Sequence, residues 1–163
     1  MDEIARRWRI TAWKKKDSAR QATDSVRRAV LIQPLSYMNR SGVPVRLISA
    51  WYRTPPDQIL VICDDLDLPF GTVRMRPRGG HGGNNGLRSI IATIGEDFPR
   101  LRLGIGRPQF DSTDHVLSPF TADERADLPT VIMTAADGAQ HWLDEGIEPA
   151  MQLVNNIKAR DDR

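Results

Sequence analysis

The chain has 163 residues, of which 40% are hydrophobic and 27% charged, a composition that is typical of folded globular proteins and excludes a disordered chain. A single hydrophobic core suffices at this length, so we predict one domain spanning residues 1–163. No apolar run approaches the roughly 20 residues that cross a bilayer, and the first residues lack a signal-like apolar segment, which predicts a cytoplasmic protein without a membrane segment.

Charge is unevenly distributed along the chain, although the formal net charge is only +2. Residues 1–53 contain 12 Lys and Arg against 4 Asp and Glu, whereas residues 111–163 contain 4 against 11. Contacts to phosphate come chiefly from lysine and arginine, so the basic N-terminal third of the chain is compatible with a face that binds nucleic acid. A solvated surface whose two halves pair with each other would leave the same pattern.

The first half of the chain predicts helices and strands in alternation. A helix from Asp2 to Trp8 begins without a capping residue, and the basic stretch from Lys14 to Asp24 is either a hairpin edge or a loop. The run Ala29 to Pro34 predicts a buried strand that a proline ends. Apolar residues at helical spacing then predict a helix from Ser41 to Arg53 that packs on a sheet. The residues of its expected buried face are Val43, Leu47, Ile48 and Trp51.

The second half continues the alternation. We predict a buried strand at 58–65, further strands at 71–76 and 100–105, a loop at 107–120, and helices at 122–145 and 148–156. Pro129 kinks the longer helix or divides it in two. Another helix follows a glycine-rich run and has Leu87, Ile90, Ile91 and Ile94 on its apolar face. Strands that alternate with helices predict an α/β domain of three layers, with a mixed, mostly parallel sheet flanked by helices.

Three carboxylates follow the strand that ends near residue 65. Because ligand sites in open α/β sheets lie outside the carboxyl ends of strands, Asp64, Asp65 and Asp67 are candidates for a working acid. They could bind a divalent metal, orient a catalytic histidine, or cap the turn that follows. The single cysteine, Cys63, lies in the apolar run before them, and we interpret it as a buried, inert thiol.

The glycine-rich run from Gly79 to Gly86 lets the backbone approach a ligand closely and opens a helix with free N–H groups. It lacks the GK[ST] of a P-loop and fits the dinucleotide fingerprint poorly, which argues against a nucleotide cofactor. The amides of Asn84 and Asn85 could hold an amide-rich substrate or a ribose. A flexible turn without a ligand is the alternative.

Two more groups of polar residues are candidates for binding. Asn39, in the segment Tyr37 to Asn39, could serve a ligand or cap the helix that follows. Arg74 and Arg76 alternate on one strand and so face the same way, and Arg102 lies on another strand. Guanidinium groups aligned in this way suit a phosphate, although arginines on a solvated surface would look the same.

Five segments, taken in order, resemble the successive signatures of bacterial peptidyl-tRNA hydrolases: PLSYMNRSG, VICDDLDLPFG, RPRGGHGGNNGLRSII, RLRLGIGRP, and VLSPFTADER with WLDEGIEPAM. The resemblance runs from Met1 to about Asn156. It implies the fold of that family and hydrolysis of the ester that joins a peptide to the 3′ ribose of tRNA. It also implies tRNA as the partner, a monomer, and no metal or other cofactor.

The resemblance carries over to individual positions. Asp64 matches the aspartate that holds the catalytic histidine in its basic form. Three positions match residues at the site for the acceptor end and the peptide: Tyr37, Asn39 and Asn85. The clamp on a tRNA phosphate is matched by Arg76 and Arg102, with Arg74 and Arg100 as nearby basic positions of lesser weight.

Two features depart from the family pattern. The first strand, its GNPG-type turn and the TRHN-type segment with the catalytic histidine have no counterpart here, and Met1 to Trp8 resembles the helix that follows them. His81, His115 and His141 do not match that histidine, so we expect that the given start is too late and that hydrolysis by residues 1–163 is weak or absent. Asn84 stands where the family usually has another histidine.

Two other functions compete with this hydrolase. An RNA-binding relative that does not hydrolyse is the main alternative, but it would have no need of Asp64, Asn39 and Asn85. A metal hydrolase that uses the three aspartates is disfavoured, because no histidine accompanies them at helpful spacing.

Overall fold

A computed structural model of the protein describes residues 1–107 and 116–157. The strands are β1 (Lys14–Lys16), β2 (Ala19–Asp24), β3 (Ala29–Pro34), β4 (Val61–Asp65), β5 (Val73–Arg76) and β6 (Arg100–Gly104). The helices are α1 (Asp2–Arg7), α2 (Gly42–Tyr52), α3 (Asn85–Ile94), α4 (Ala122–Glu145) and α5 (Ile147–Asn155), with short 3₁₀ turns at Met38–Arg40 and Pro56–Gln58. None of the helices in these ranges is long and apolar enough to cross a membrane.

The chain divides into two compact units. The first unit contains Met1–Ile59 and Arg78–Phe98, and the second contains Leu60–Pro77 and Pro99–Arg163. The organisation of the 163 residues as one domain stays a prediction.

The sheet of the first unit has the order β1-β2-β3, and both of its strand pairs are antiparallel. Asp17 and Ser18 join β1 to β2 with φ of 52° and 57°, the left-handed values that a tight two-residue hairpin turn requires. The basic stretch from Lys14 to Asp24 is therefore a hairpin, and the alternative prediction of a loop is wrong.

Helix α1 starts without a capping side chain, as predicted. Charged side chains stabilise the helix instead. Asp2 and Glu3 lie in the first turn and two arginines lie in the last turn, where each sign interacts favourably with the helix dipole. Hydrogen bonds from Arg6 and Arg7 lower the pKa of Glu3 to about 2, so this carboxylate stays charged throughout the physiological range. Ile4 and Ala5 are buried beneath the helix.

The predicted buried face of α2 is wrong except for Ile48. Val43, Leu47 and Trp51 are exposed, whereas Pro44, Val45 and Ile48 are buried together with Gly42. The helix packs on α3 through Gly42, and a Cβ at that position would overlap the Ser89 carbonyl oxygen. Apolar spacing permits more than one buried face along such a helix, and the close approach at a glycine decides which face is used.

The second unit contains a sheet of order β4-β6-β5, in which β4 pairs with β6 in parallel and β5 pairs with β6 antiparallel. Helices α4 and α5 cover one face of this sheet, where Met75, Leu101 and Val154 are fully buried. Thr121 and Glu124 form a capping box at the start of α4. Helix α4 contains Pro129 without a break, so the prediction that the proline divides it is wrong.

The α/β class, with a mixed sheet and flanking helices, is confirmed. The expected excess of parallel pairing is not found, because among the strand pairs of the described residues only β4 with β6 is parallel. Short turns connect β1, β2 and β3, and a turn of that length can join only antiparallel neighbours. Strand β4 is half-buried along its whole length rather than buried as predicted. Of the predicted loop at 107–120, residues 108–115 lie outside the described residues.

Gly42→Ala should lower the free energy of unfolding by about 1–3 kcal/mol, because a methyl group would be forced against the backbone of α3. Chemical denaturation measures the change. Gly80→Ala is the matched control, since a Cβ at Gly80 meets no atom within 4 Å. Equal stability of the two variants would contradict the close packing of α2 on α3.

Candidate active site

In the first unit, the turn Met38–Arg40 lies against the start of α3. The Met38 side chain packs on this helix, because a Cβ added to Gly86 would be 2.7 Å from the Met38 sulfur. Two hydrogen bonds hold the neighbouring end of α2: the Gly42 N–H donates to Ser89 Oγ (3.0 Å), and Thr93 Oγ1 donates to the Gly42 carbonyl (3.3 Å). Asn39 lies in this turn, Tyr37 immediately precedes it, and Asn85 is the first residue of the helix against which the turn packs.

These three candidate side chains are exposed. Tyr37 retains 81% of its accessible surface, and the Asn39 amide has no hydrogen-bond partner among the residues that the structure describes. Asn85 Oδ1 accepts a hydrogen bond from Arg88 Nη1 at 3.2 Å. Asn39 does not cap α2, whose N-cap is Ser41, so the capping interpretation is wrong. The Asn39 amide can therefore donate to and accept from a ligand.

The two adjacent asparagines of the glycine-rich run have different surroundings. Asn84 Oδ1 accepts a hydrogen bond from the Leu87 N–H at 3.0 Å and caps α3, and the Asn84 N–H donates to the His81 carbonyl at 2.9 Å. His81 Nδ1 accepts from the Gly83 N–H at 3.1 Å within the same loop. Asn84 therefore contributes to the start of the helix, whereas Asn85 faces solvent beside it.

In the second unit, Asp65 caps the turn that follows β4. Its Oδ1 accepts from the Asp67 N–H at 2.8 Å, and its Oδ2 is hydrogen-bonded to Arg102 Nε. Asp67 in turn pairs with Arg107. The turn interpretation of the acidic cluster is thus correct for Asp65. Asp64 is half-buried at the carboxyl end of β4, and the alternation of side chains along a strand directs it to the opposite face.

Four arginines share the face of the sheet on which Asp65 lies. In the antiparallel register of β5 and β6, Arg74 is opposite Arg102 and Arg76 is opposite Arg100, and directly opposed residues project to the same side. Arg100 is 2% exposed, whereas Arg76 is exposed and Arg102 is half-buried. The groups with access to solvent on this face are therefore arginines, whose planar fork matches a phosphate.

Cys63 offers no thiolate for catalysis. Burial, reinforced by the negative charges of Asp64 and Asp65, raises the pKa of its thiol to about 12. Across residues 1–107 and 116–157, no three His, Cys, Asp or Glu side chains are grouped so that they could hold a metal ion.

The model of the peptidyl-tRNA hydrolase family matches residues 1–162. The chain belongs to this family. The peptidyl-tRNA hydrolase of Chloroflexus aurantiacus is 42% identical over 163 residues, which are 96% of this chain and 87% of that protein. The peptidyl-tRNA hydrolase of Chloroflexus aggregans is 46% identical over 134 residues, which are 80% and 71% of the two chains. A crystal structure of the Acinetobacter baumannii peptidyl-tRNA hydrolase matches with a TM-score of 0.88 and 32% identity, over 96% of this chain and 83% of that one.

The family predicted from the five ordered segments is confirmed, and these relatives lend no support to the non-hydrolytic alternative. The roles of the individual site residues stay predictions. In the first unit the turn that contains Asn39 packs against the helix that begins at Asn85, and Tyr37 immediately precedes that turn. In the second unit it places Arg76 and Arg102 on one face of the sheet, and Asp64 is directed to the other.

The sequence analysis missed two contacts. The pairing of Asp65 with Arg102 depends on the register of β4 and β6, which no local pattern reveals. The cap formed by Asn84 could have been found, because asparagine is a frequent N-cap and this one stands immediately before the apolar periodicity of α3.

The native protein should resist alkylation at Cys63 by iodoacetamide at pH 8, because a thiol with a pKa of about 12 contains almost no reactive thiolate at that pH. The unfolded chain should react readily, since an exposed thiol has a pKa of about 8.5. Mass spectrometry of native and urea-unfolded samples measures the modification. Equally fast labelling in both states would contradict the effect of burial.

Proposed function

We propose that this protein hydrolyses the ester bond between a peptide and the 3′ ribose of tRNA, acting in the cytoplasm as a monomer. Membership in the peptidyl-tRNA hydrolase family supports the reaction. The observation that supports the substrate side is the packing of the Met38–Arg40 turn against the start of α3. Asn39 lies in that turn, Tyr37 immediately precedes it and Asn85 begins the helix, and we take these three side chains as one proposed substrate surface.

The chemistry of this surface suits an acylated RNA terminus. A peptide ester offers carbonyl oxygens and N–H groups, and the ribose offers hydroxyls that both donate and accept. The amides of Asn39 and Asn85 can also donate and accept, so each can bind either part of the substrate. Tyr37 adds an exposed ring on which a base or an apolar side chain can pack. In this proposal the three residues bind the acceptor end and the peptide.

Asp64 is proposed as a positioning residue for the general base. Attack of water on an ester requires a group that takes a proton near neutral pH, and histidine has the appropriate pKa. A carboxylate that accepts a hydrogen bond from one ring nitrogen keeps the other nitrogen free to take that proton. None of the chain's own histidines corresponds in sequence to that base. The proposal therefore gives Asp64 a partner supplied by the strand and histidine segment typical of the family.

Arg76 and Arg102 are proposed to bind a tRNA phosphate. The carboxylate of Asp65 engages Nε of Arg102, which leaves the two terminal amino groups of the guanidinium for another acceptor. Asp65 thus fixes the orientation of the Arg102 guanidinium. Arg76, exposed on the neighbouring strand, adds a second positive charge. A phosphate bound in this way would position the tRNA without reading its sequence.

Hydrolysis of a radiolabelled N-acetyl-aminoacyl-tRNA tests the reaction. We expect residues 1–163 preceded by a family-type strand and histidine segment to turn over, and residues 1–163 alone to be slower by about 10²–10⁴-fold. Asp64→Asn in the longer protein should lower kcat by a similar factor and shift the acidic limb of the pH profile downward, because the carboxylate charge favours the protonated imidazole. Asp67→Asn is the control.

Two outcomes would count against these assignments. Equal kcat values and pH profiles for Asp64→Asn and Asp67→Asn would remove Asp64 from the mechanism. No turnover by the longer protein would overturn the proposed reaction.

The phosphate contacts are tested by binding of deacylated tRNA at several salt concentrations. Arg76→Ala and Arg102→Ala should each weaken binding and reduce the slope of log Kd against log salt concentration by about 1, because each variant removes one phosphate contact. Arg125→Ala, an exposed arginine on α4, should leave the slope unchanged. The assignment fails if all three variants behave alike.

A further inference from the structure

The first unit contains an open pocket that the proposed reaction does not use. It has a volume of about 540 Å³ and lies between the β1–β2 hairpin and the C-terminal half of α2. We name it the hairpin pocket. The residues that matter for the argument are Lys14, Lys16 and Gln21 from the hairpin, and Ile48, Trp51 and Tyr52 from α2.

The hairpin side of this pocket is strongly basic. Strand β1 consists of three consecutive lysines, all exposed, and alternation along the strand places Lys14 and Lys16 on the same face. Lys15 also lines the pocket, so all three lysines of the strand contribute positive charge to it. Asp17 is the one acidic residue among those that line the pocket. An anionic ligand is therefore favoured.

The helix side of the pocket presents aromatic rings. Trp51 is 71% exposed and Tyr52 is 44% exposed, which is unusual for such large rings in a folded unit. The Lys16 ammonium lies 4.3 Å from the centroid of a Trp51 ring. The same unit has a second such pair, in which the Arg20 guanidinium is 4.7 Å from Trp13. Cations and open aromatic faces therefore lie together around the hairpin.

We infer that the hairpin pocket binds an unpaired segment of RNA, with a base stacked on Trp51 and phosphates against Lys14 and Lys16. Proteins that bind single strands without sequence preference combine a basic groove with aromatic stacking platforms. Unpaired bases are required, because the bases of a duplex already stack on one another. The inference rests on the proposed function only in taking tRNA as the natural source of that RNA.

Lys16 must move for this ligand to bind, and the exchange is favourable. The contact of an exposed ammonium with an indole is weak in water, whereas a stacked base buries much of the ring. A phosphate that accompanies the base gives the displaced ammonium a stronger partner than the ring. The Trp51 ring is therefore covered by a weak contact that an RNA strand can replace.

The experiment uses the full chain and three fluorescein-labelled probes: deacylated tRNA, a six-nucleotide single-stranded RNA, and a blunt RNA duplex. Fluorescence anisotropy gives Kd at several salt concentrations. Trp51→Leu should weaken binding of the single strand by about 5-fold to 100-fold, because it removes the stacking face, and Trp51→Phe should retain part of the affinity. Because Trp51 is exposed, we expect both variants to fold, and thermal unfolding of each variant checks this.

Lys14→Gln combined with Lys16→Gln should reduce the salt slope for single-stranded RNA by about 2 × 0.7, or roughly 1.4, one contact for each lysine. Arg46→Gln combined with Arg53→Gln is the matched control, since it removes the same charge from exposed positions of the same unit outside the pocket. The blunt duplex should be insensitive to Trp51→Leu. Sensitivity of the single strand to the pocket variants but not to the control supports the inference.

The outcomes separate this inference from the proposed function. If the pocket variants bind all probes as the unaltered protein does, while Arg76→Ala and Arg102→Ala still weaken tRNA binding, the hairpin pocket is not an RNA site and the proposed function stands. If Trp51→Leu weakens single-strand binding although no version of the protein cleaves peptidyl-tRNA, the pocket stands without the reaction. Equal losses in the pocket and control variants would overturn the inference, because bulk charge would then explain the binding.

Discussion

The close contact of α2 with α3 at Gly42 is the constraint on which the first unit depends. Because residue 42 has no side chain, the start of α2 reaches the Ser89 carbonyl, and the hydroxyls of Ser89 and Thr93 satisfy its N–H and carbonyl groups. This contact seats the Met38–Arg40 turn beside Asn85. It also selects the buried face of α2, so that Trp51 is left exposed over the hairpin. One small residue therefore influences both the predicted substrate surface and the pocket.

In the second unit, the geometry of β4 directs the adjacent carboxylates of Asp64 and Asp65 to opposite faces of the sheet. Asp65 accepts a backbone hydrogen bond and pairs with Arg102, so its charge is already compensated. Asp64 is directed to the other face by the pleat of the strand. Two neighbouring acids can thus differ in role without any difference in chemistry. Asp65 is hydrogen-bonded to the arginine, and the proposal gives Asp64, on the other face, the orientation of a catalytic histidine.

The sequence predicted what depends on local pattern and failed where distant contacts decide. The bounds of α4 and β3 agreed with the prediction, because periodicity, capping residues and prolines mark them directly. The buried face of α2 was wrong because its packing partner lies 47 residues away, at Ser89. The burial of β4 was overestimated because the hydropathy of a segment does not reveal how much of it other elements cover. The family was recognised from the order of five segments, whereas the roles of the site residues rest on that resemblance.

The basic residues of the two units differ in type, and the difference suits the two kinds of RNA contact that we propose. The arginines of β5 and β6 are planar donors set in sheet register, one of them fixed by Asp65, and this rigidity suits a phosphate in a defined place. The lysines of β1 are flexible point charges beside an exposed indole, and they can follow a strand whose backbone varies. Neither contact would depend on the identity of a base, so both proposals agree with RNA binding that does not read sequence.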